Sequence, residues 1–170
     1  MMKHIVKSIF MVMTLILAGC VTDKIEPEDA LPAGDRCPEF SVQLLDGSSF
    51  SSTDTGGRTA LIAFFNTDCS DCRRELPILQ KAYDELTASA GGQAPQFICI
   101  SRAQPEASVR AYWEEHGLTL PVAPQSDNAV YRLFANVGIP RIFIVDPSGI
   151  IVAAWSDDPL PGVADIISHF

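Results

Sequence analysis

The fold of this chain is decided by residues 60–72, which read ALIAFFNTDCSDC. The six apolar residues from Ala60 to Phe65 predict a strand that is buried on both faces of a sheet. Cys69 and Cys72 come shortly after it, and apolar residues then recur at helical spacing, beginning with Leu76. The two thiols therefore lie where a strand turns into a helix, an arrangement that favours the exchange of electrons between thiols and disulfides.

The rest of the chain adds the elements of an α/β domain. Residues 96–101 predict a second buried strand, so the helix after Cys72 completes a βαβ unit with a right-handed crossover. Asp46-Gly47 lies between apolar residues and predicts an antiparallel hairpin at the start of the domain. The remaining predicted elements are helices at 105–116, 128–134 and 161–170 and an antiparallel strand pair at 141–145 and 150–155.

The amino terminus has the pattern of a secretory signal peptide. Lys3 and Lys7 precede an almost unbroken apolar run from Ile9 to Leu17, and small residues close the run before Cys20. The run is shorter than the ~20 residues that a membrane-spanning helix needs. Residues 1–19 are therefore predicted to be a signal peptide that is removed.

Leu17-Ala18-Gly19-Cys20 resembles the lipobox of bacterial lipoproteins. The resemblance implies that Cys20 is acylated, becomes the first residue of the mature chain and anchors it in the bacterial cell envelope, outside the cytoplasm. A plain signal peptide with an incidental Cys20 is the alternative. Residues 20–34 are acidic, contain two prolines and show little apolar periodicity, which predicts a tether before a domain at 35–170.

The mature chain is small and strongly acidic. Its 151 residues are enough for one domain with a core of its own. It carries ten Lys and Arg against 21 Asp and Glu, a net charge of −11, which argues against nucleic acid as a partner.

The order of elements resembles the thioredoxin fold, and most closely the extracytoplasmic TlpA/ResA-like thiol-disulfide oxidoreductases. The motifs that carry the resemblance are Cys37-Pro38-Glu39-Phe40 with its hairpin, Phe64-Phe65 through Cys72, Pro77 in the first helix, and Gly138-Ile139-Pro140. The resemblance implies an α/β protein with a central mixed sheet flanked by helices and an added N-terminal β-hairpin. It also implies the activity of a protein disulfide oxidoreductase.

Cys69 and Cys72 are the predicted catalytic residues. A helix amino terminus favours a thiolate, which makes Cys69 the attacking group, and Cys72 one turn later is placed to resolve the mixed disulfide. The alternatives are an inert bridge or half of a zinc site, which needs two more ligands. The domain's other thiols are Cys37 and Cys99. Disulfide connectivity cannot be deduced from sequence, so nothing pairs these two cysteines and no bridge between them is expected. The exchange needs no metal and no cofactor.

The resemblance assigns further roles around this pair. Pro140 matches the cis-proline that faces the CxxC motif, and Ile139 before it offers backbone groups to a substrate polypeptide. Glu75 stands where ResA-like proteins carry a glutamate for proton transfer or tuning around Cys72, a task that needs a poorly solvated carboxylate. The alternative is that Glu75 is exposed and forms ordinary surface ion pairs.

Two positions depart from the family pattern. Asp68 stands where tryptophan is usual, and Arg141 follows the proline where threonine is common. Asp68 and Asp71 bracket Cys69, so their charges oppose the stabilisation of a Cys69 thiolate by the helix terminus. The dithiol is then not favoured over the disulfide, which predicts a reducing couple unless Arg141 neutralises one of the acids.

The sequence thus predicts a lipid-anchored, extracytoplasmic reductase of protein disulfides. Its expected partners are protein thiols or disulfides of the cell envelope, a membrane protein that donates electrons, and the membrane itself through the lipid. One alternative is a non-catalytic thioredoxin-fold binding module displayed on the membrane. A thiol peroxidase is disfavoured, because Ile62 and Asn66 occupy the proline and threonine positions of the peroxidase motif Pro-x-x-x-Thr-x-x-Cys. Copper delivery is disfavoured because the related metallochaperones use CxxxC spacing.

Overall fold

The computed structural model of the protein describes residues 29–90 and 95–170. The predicted signal peptide, the lipobox with Cys20 and most of the predicted tether lie outside the described residues. Within the described part, no helix combines the length and the apolar character that crossing a membrane requires.

The described elements follow the strand and helix order that the sequence predicts, with one added short strand. In chain order they are β1 (Ser41–Gln43), β2 (Ser49–Ser51), β3 (Ala60–Phe65), α1 (Ser70–Ser89), β4 (Gln96–Ser101), α2 (Glu106–His116), β5 (Val122–Ala123), a 3₁₀ turn (Tyr131–Leu133), β6 (Arg141–Val145), β7 (Ile151–Trp155) and α3 (Val163–Ile167).

A five-stranded mixed sheet forms the centre of the fold. Its strands lie in the spatial order β5-β4-β3-β6-β7. β3, β4 and β5 are parallel, whereas β6 is antiparallel to both of its neighbours. All six residues of the central strand β3 are buried, as expected for a strand with both faces covered. The thioredoxin-like architecture with a mixed sheet is confirmed.

Helices cover one face of this sheet. α1 buries Leu76 and Leu79, α2 buries Trp113 and α3 buries Ile166 in one cluster with Phe65 of β3. Both βαβ crossovers place their helices on this side, because two right-handed crossovers that move in the same direction along a sheet lie on the same face. The active-site helix is therefore held against the middle of the sheet.

The predicted N-terminal hairpin covers the other face. β1 and β2 pair with each other as a separate two-stranded antiparallel sheet, which confirms the hairpin. Phe40 directly precedes β1 and Phe50 lies in β2. Both pack with Phe64 and Phe134 in a second buried cluster. The rings of Phe40 and Phe134 meet edge to face, with their centroids 5.6 Å apart.

The predicted helix at 128–134 is only a single 3₁₀ turn. Its last residues leave the helical path to pair with the incoming chain. The Leu31 amide donates to the Phe134 carbonyl oxygen at 2.8 Å, and Ala30 forms an antiparallel bridge with Ala135. The helix prediction failed here because this pairing is made with residues a hundred positions earlier.

Two other elements differ from the prediction in length or existence. α3 spans five residues rather than the predicted ten, since it begins after Gly162 and ends at Ile167. β5 was not predicted, because two residues are too few to show a strand pattern.

The chain enters the fold before the predicted domain start at Asp35. The Asn136 amide donates to the Asp29 carbonyl oxygen at 2.9 Å, and the Gly34 amide donates to the Ile151 carbonyl oxygen at 2.8 Å. Residues 29–34, which the sequence assigned to the tether, are therefore attached to the sheet.

Cys37 and Cys99 lie on opposite faces of the sheet. Cys37 belongs to the hairpin-side cluster and Cys99 to the helix-side cluster, and both are free thiols. Burial raises the pKa of Cys37 to about 11 and that of Cys99 to about 12. They are not bridged, as expected, and they act as small buried apolar residues.

Candidate active site

Cys69 lies at the junction of β3 and α1 and caps the amino end of that helix. Its backbone is extended, at φ −82° and ψ 124°, and its sulfur accepts a hydrogen bond from the Cys72 amide at 3.4 Å. The Cys69 amide donates to the Asn66 carbonyl oxygen at 3.0 Å. The sulfur thus faces the unpaired amides and the positive end of the helix dipole, where negative charge is attracted. Its partial exposure leaves it accessible to a partner.

Cys72 is in a different environment one turn later. It is fully buried, and both it and Cys69 are free thiols. Burial, reinforced by the hydrogen bond with Cys69, raises the pKa of Cys72 well above its usual range, and the Asn66 backbone only partly opposes this. The geometry therefore provides one accessible sulfur and one sheltered sulfur on the same helix.

The Ile139-Pro140 segment approaches the accessible sulfur from the opposite side. The Cys69 thiol donates to the Ile139 carbonyl oxygen, with 3.6 Å between sulfur and oxygen. The Ile139-Pro140 peptide bond is cis, as the family resemblance implied. The Tyr131 hydroxyl donates to the neighbouring Gly138 carbonyl oxygen at 2.7 Å. The loop at 137–139 thus places its own backbone next to the Cys69 sulfur.

Glu75 is buried within the same helix. Its side chain is 1% exposed, and neither carboxylate oxygen has a hydrogen-bond partner in the described part of the chain. Burial raises its pKa to about 7. The spacing of three residues places Glu75 on the same helix face as Cys72. The alternative of an exposed glutamate in surface ion pairs is therefore wrong, and Arg74 pairs with Asp71 instead.

The charged residues at the rim are arranged differently from the sequence expectation. Asp68 is exposed, whereas Asp71 forms an ion pair with Arg74 at 2.6 Å. Arg141 donates two hydrogen bonds to the Val137 carbonyl oxygen, at 3.2 Å from Nε and 2.9 Å from Nη2. Among the ion pairs of residues 29–90 and 95–170, none joins Arg141 to either acid. Asp71, rather than Asp68, is the acid that is partly neutralised.

Two polar residues that position the site were missed by the sequence analysis. Gln104 is 4% exposed, accepts a hydrogen bond from the Thr67 amide at 2.9 Å and donates to the Thr67 hydroxyl at 2.7 Å. The Asn66 side chain donates to the Arg102 carbonyl oxygen at 3.1 Å and accepts from the Asp68 amide at 2.8 Å. These bonds fix the loop before Cys69. No local pattern could reveal Gln104, because its partner is 37 residues away.

The described residues contain no group of three His, Cys, Asp or Glu side chains that could hold a metal ion. The chemistry that the arrangement offers is thiol–disulfide exchange, in which an accessible thiolate attacks and a neighbouring thiol resolves.

Comparison with known proteins places this arrangement in a family. The AhpC/TSA family model matches residues 33–154. The thioredoxin-like protein YneN of Bacillus subtilis is 29% identical over 126 residues, which are 73% of this chain and 71% of that protein. The thiol-disulfide oxidoreductase ResA of Geobacillus thermodenitrificans is 25% identical over 134 residues, which are 79% of this chain and 72% of that protein.

A solved structure agrees with these relatives. The thioredoxin domain of a thiol-disulfide oxidoreductase from Bacteroides vulgatus superposes with a TM-score of 0.67 at 29% identity, covering 82% of this chain and 95% of that one. The fold, the named relatives and the CxxC pair agree in pointing to one activity. The chain therefore belongs to the AhpC/TSA family of thioredoxin-fold proteins, in which its relatives make it a thiol-disulfide oxidoreductase.

Proposed function

We propose that the protein is a lipid-anchored, extracytoplasmic reductase of protein disulfides. The observation that carries this proposal is the pairing of an accessible Cys69 at a helix amino terminus with a buried Cys72 in the next turn. Ile139 and Pro140 dock the substrate polypeptide beside Cys69, an assignment supported by the 3.6 Å separation of the Cys69 sulfur and the Ile139 oxygen.

The reaction is a two-step exchange. The Cys69 thiolate attacks one sulfur of a substrate disulfide, the substrate S–S bond breaks, and the other substrate sulfur leaves as a thiolate. Cys72 then loses its proton and attacks the Cys69 sulfur, which releases the second substrate thiolate and closes the Cys69–Cys72 disulfide. Two electrons pass to the substrate, and its thiolates take up the two protons that the cysteines release. A donor dithiol restores the reduced pair by the same exchange.

The reducing direction is supported by the lack of stabilisation of the reduced pair. Cys72 is buried and its pKa is raised, so its thiolate is not favoured. Asp68 is exposed next to Cys69 and opposes the helix terminus, while the Asp71 contribution is weakened by Arg74. A dithiol whose reduced form is not stabilised as a thiolate donates its electrons readily.

Glu75 is proposed to accept the proton of Cys72 in the second step. Its raised pKa of about 7 allows it to gain and lose a proton near neutral pH, which an ordinary glutamate does not do efficiently. It shares a helix face with Cys72 and has no competing hydrogen-bond partner in the described part of the chain.

The proposed location follows from the amino terminus. Residues 1–19 act as a signal peptide, Cys20 carries the lipid, and the acidic segment after it tethers the domain to a membrane of the bacterial cell envelope, outside the cytoplasm. Two CxxC cysteines have no supply of electrons of their own in that compartment. A membrane protein with a reduced dithiol is therefore the proposed donor.

The reduction potential of the Cys69–Cys72 pair tests the direction. The full chain, held in a non-ionic detergent, is equilibrated with dithiothreitol or glutathione buffers, and the reduced fraction is read by thiol alkylation and mass spectrometry. A potential near or below ~−270 mV supports a reductase. A potential near ~−120 mV indicates an oxidant or isomerase and overturns the proposal.

The alternatives predict different results in the same preparation. A non-catalytic binding module shows no titration and no reduction of insulin. A thiol peroxidase consumes peroxide with Cys69 alone, but Asn66 and Ile62 do not supply the hydroxyl and proline of that motif. In the fold Ile62 is a buried core residue, and the side-chain amide of Asn66 donates a hydrogen bond to the Arg102 carbonyl oxygen.

A further inference from the structure

The loop that faces Cys69 is bordered by two arginines, although the whole chain has a net charge of −9. The loop consists of residues 137–139 and includes the Ile139 carbonyl oxygen, 3.6 Å from the Cys69 sulfur. Arg102 follows β4 and Arg141 begins β6. Both strands pair with β3, so their ends meet at the active-site edge of the sheet.

Arg102 is held by an aromatic ring. Its guanidinium carbon lies 4.4 Å above the centroid of the Tyr131 ring, and the Tyr131 hydroxyl donates to the Gly138 carbonyl oxygen at 2.7 Å. The Arg102 amide donates to the Phe65 carbonyl oxygen at 2.8 Å, which fixes the backbone as well. The charge is therefore positioned at one side of the loop at 137–139.

Arg141 is held by the docking loop itself. Its Nε and Nη2 atoms both donate to the Val137 carbonyl oxygen and its side chain also bonds Tyr131, so only part of its five N–H donors remains for a ligand. Both arginines lie close enough to lower the pKa of Tyr131, against the larger effect of burial, which raises it; Asp29 acts weakly in the raising direction. Two guanidinium groups thus converge on one tyrosine beside the docking loop.

Neither cation forms an ion pair within the described part of the chain. The ion pairs there are local pairs along a helix, at Arg74 with Asp71, Lys81 with Glu85 and Arg110 with Glu106. Orientation by a ring and by a carbonyl oxygen, rather than by a carboxylate, leaves the positive charge of Arg102 and Arg141 available to a partner.

We propose that Arg102 and Arg141 form a subsite for an acidic side chain of the substrate polypeptide, close in its sequence to the cysteine that Cys69 attacks. This inference rests on the proposed reductase function and specifies the class of substrate. A polypeptide bound along residues 137–139 passes both guanidinium groups, and a carboxylate there gains two charge-assisted interactions. The preference acts mainly on kcat/KM. Because it is electrostatic, it weakens as the salt concentration rises.

The test compares three peptides that contain the same intramolecular disulfide and carry Glu, Gln or Lys beside one cysteine. kcat/KM is measured with the full chain in non-ionic detergent at low and high salt. We expect the Glu peptide to exceed the Gln peptide by about fivefold at low salt, because each exposed charge pair contributes modestly. The Lys peptide should be the poorest substrate, and high salt should reduce the differences.

Variants assign the preference to the two arginines. Arg102→Gln with Arg141→Gln should bring the Glu and Gln peptides to equal kcat/KM, whereas Arg102→Lys with Arg141→Lys, which preserves the charge, should retain a preference for Glu. Arg110→Gln, an exposed arginine on α2, is the matched control and should leave the preference unchanged. Thermal unfolding confirms that each variant is folded.

The outcomes separate this inference from the proposed function. If the wild type reduces all three peptides equally, or if the double Gln variant keeps the full preference, the acidic-substrate subsite is overturned while the reductase stands. If the wild type reduces none of the peptides, the reductase function fails and the subsite fails with it.

Discussion

The difference between two cysteines three residues apart sets the chemistry at the scale of single residues. Cys69 is accessible at the helix terminus, and Cys72 is fully buried behind it. Removing the second thiol should therefore leave attack intact but block resolution. We expect Cys72→Ser to accumulate mixed disulfides with substrate proteins, and Cys69→Ser to accumulate none. Non-reducing gels followed by mass spectrometry of the trapped species measure this.

Cys99→Ser is the control for this trapping experiment, because Cys99 is a buried free thiol outside the CxxC pair. It should behave as the wild type. Equal trapping by Cys69→Ser and Cys72→Ser would contradict the assignment of attacker and resolver.

Glu75 should make stability depend on pH. Burial raises its pKa from 4.5 to about 7, so the folded protein binds a proton that the unfolded chain has already lost across this interval. The corresponding stability is fully present below about pH 4.5 and is lost as the pH rises through 7. We expect wild type to lose about 3 kcal/mol more unfolding free energy between pH 4.5 and pH 8 than Glu75→Gln does. Urea unfolding at a series of pH values measures the difference.

Glu85→Gln is the matched control, since Glu85 lies on the same helix and is half-exposed in a loose pair with Lys81. Its pH profile should follow the wild type. A Glu75→Gln profile that also follows the wild type would show that the Glu75 carboxyl is not buried in solution.

At the scale of elements, the loop between β3 and α1 depends on a clamp, the pair of hydrogen bonds from Gln104 in the loop between β4 and α2. Gln104 bonds both the amide and the hydroxyl of Thr67, and all of these groups are buried. Gln104→Ala leaves two buried polar groups without partners, so we expect a loss of about 2 kcal/mol in unfolding free energy. Because the same loop carries Asn66, whose backbone contacts both cysteines, we also expect a change in the reduction potential.

Gln80 provides a control of the same residue type. Its side chain accepts hydrogen bonds from the amides of Thr119 and Leu120, at 2.8 and 3.2 Å, far along α1 from the cysteines. Gln80→Ala should destabilise the fold by a smaller amount, because its bonds are more exposed to water, and should not move the potential. A shift of the potential in both variants would mean that general loosening, not the clamp, alters the couple.

The elements that sequence patterns predicted are those whose information is local. The strand at 60–65, the cysteines after it and the helix beyond follow from one continuous stretch, and the hairpin at Asp46-Gly47 follows from two residues. The clamp at Gln104 and the missing helix at 128–134 depend on contacts with remote segments. The burial of Glu75 needed the packed helix, because the neighbouring Arg73-Arg74 suggested a surface position equally well.

At the scale of the whole molecule, the described chain enters the fold close to the active-site loop. The Asp29 carbonyl oxygen accepts a hydrogen bond from the Asn136 amide, only three residues before Ile139. The nine residues from Cys20 to Glu28 span at most about 30 Å when extended. A lipid on Cys20 would therefore hold the edge of the sheet that carries Cys69 within reach of a membrane-bound electron donor.

Anchoring should consequently affect the redox state in cells more than the chemistry in vitro. We expect Cys20→Ala, expressed with a cleavable signal peptide, to move the protein to the soluble extracytoplasmic fraction, because no acyl chain then holds it to lipid. Its Cys69–Cys72 pair should be more oxidised in cells, as measured by alkylation of acid-quenched samples, since the donor meets it less often. The reduction potential of the purified variant should equal that of the wild type, because the substitution leaves the two sulfurs and the residues described around them unchanged. A variant that stays in the membrane fraction would refute the lipid anchor, and one that is soluble yet equally reduced would show that the donor does not depend on the anchor.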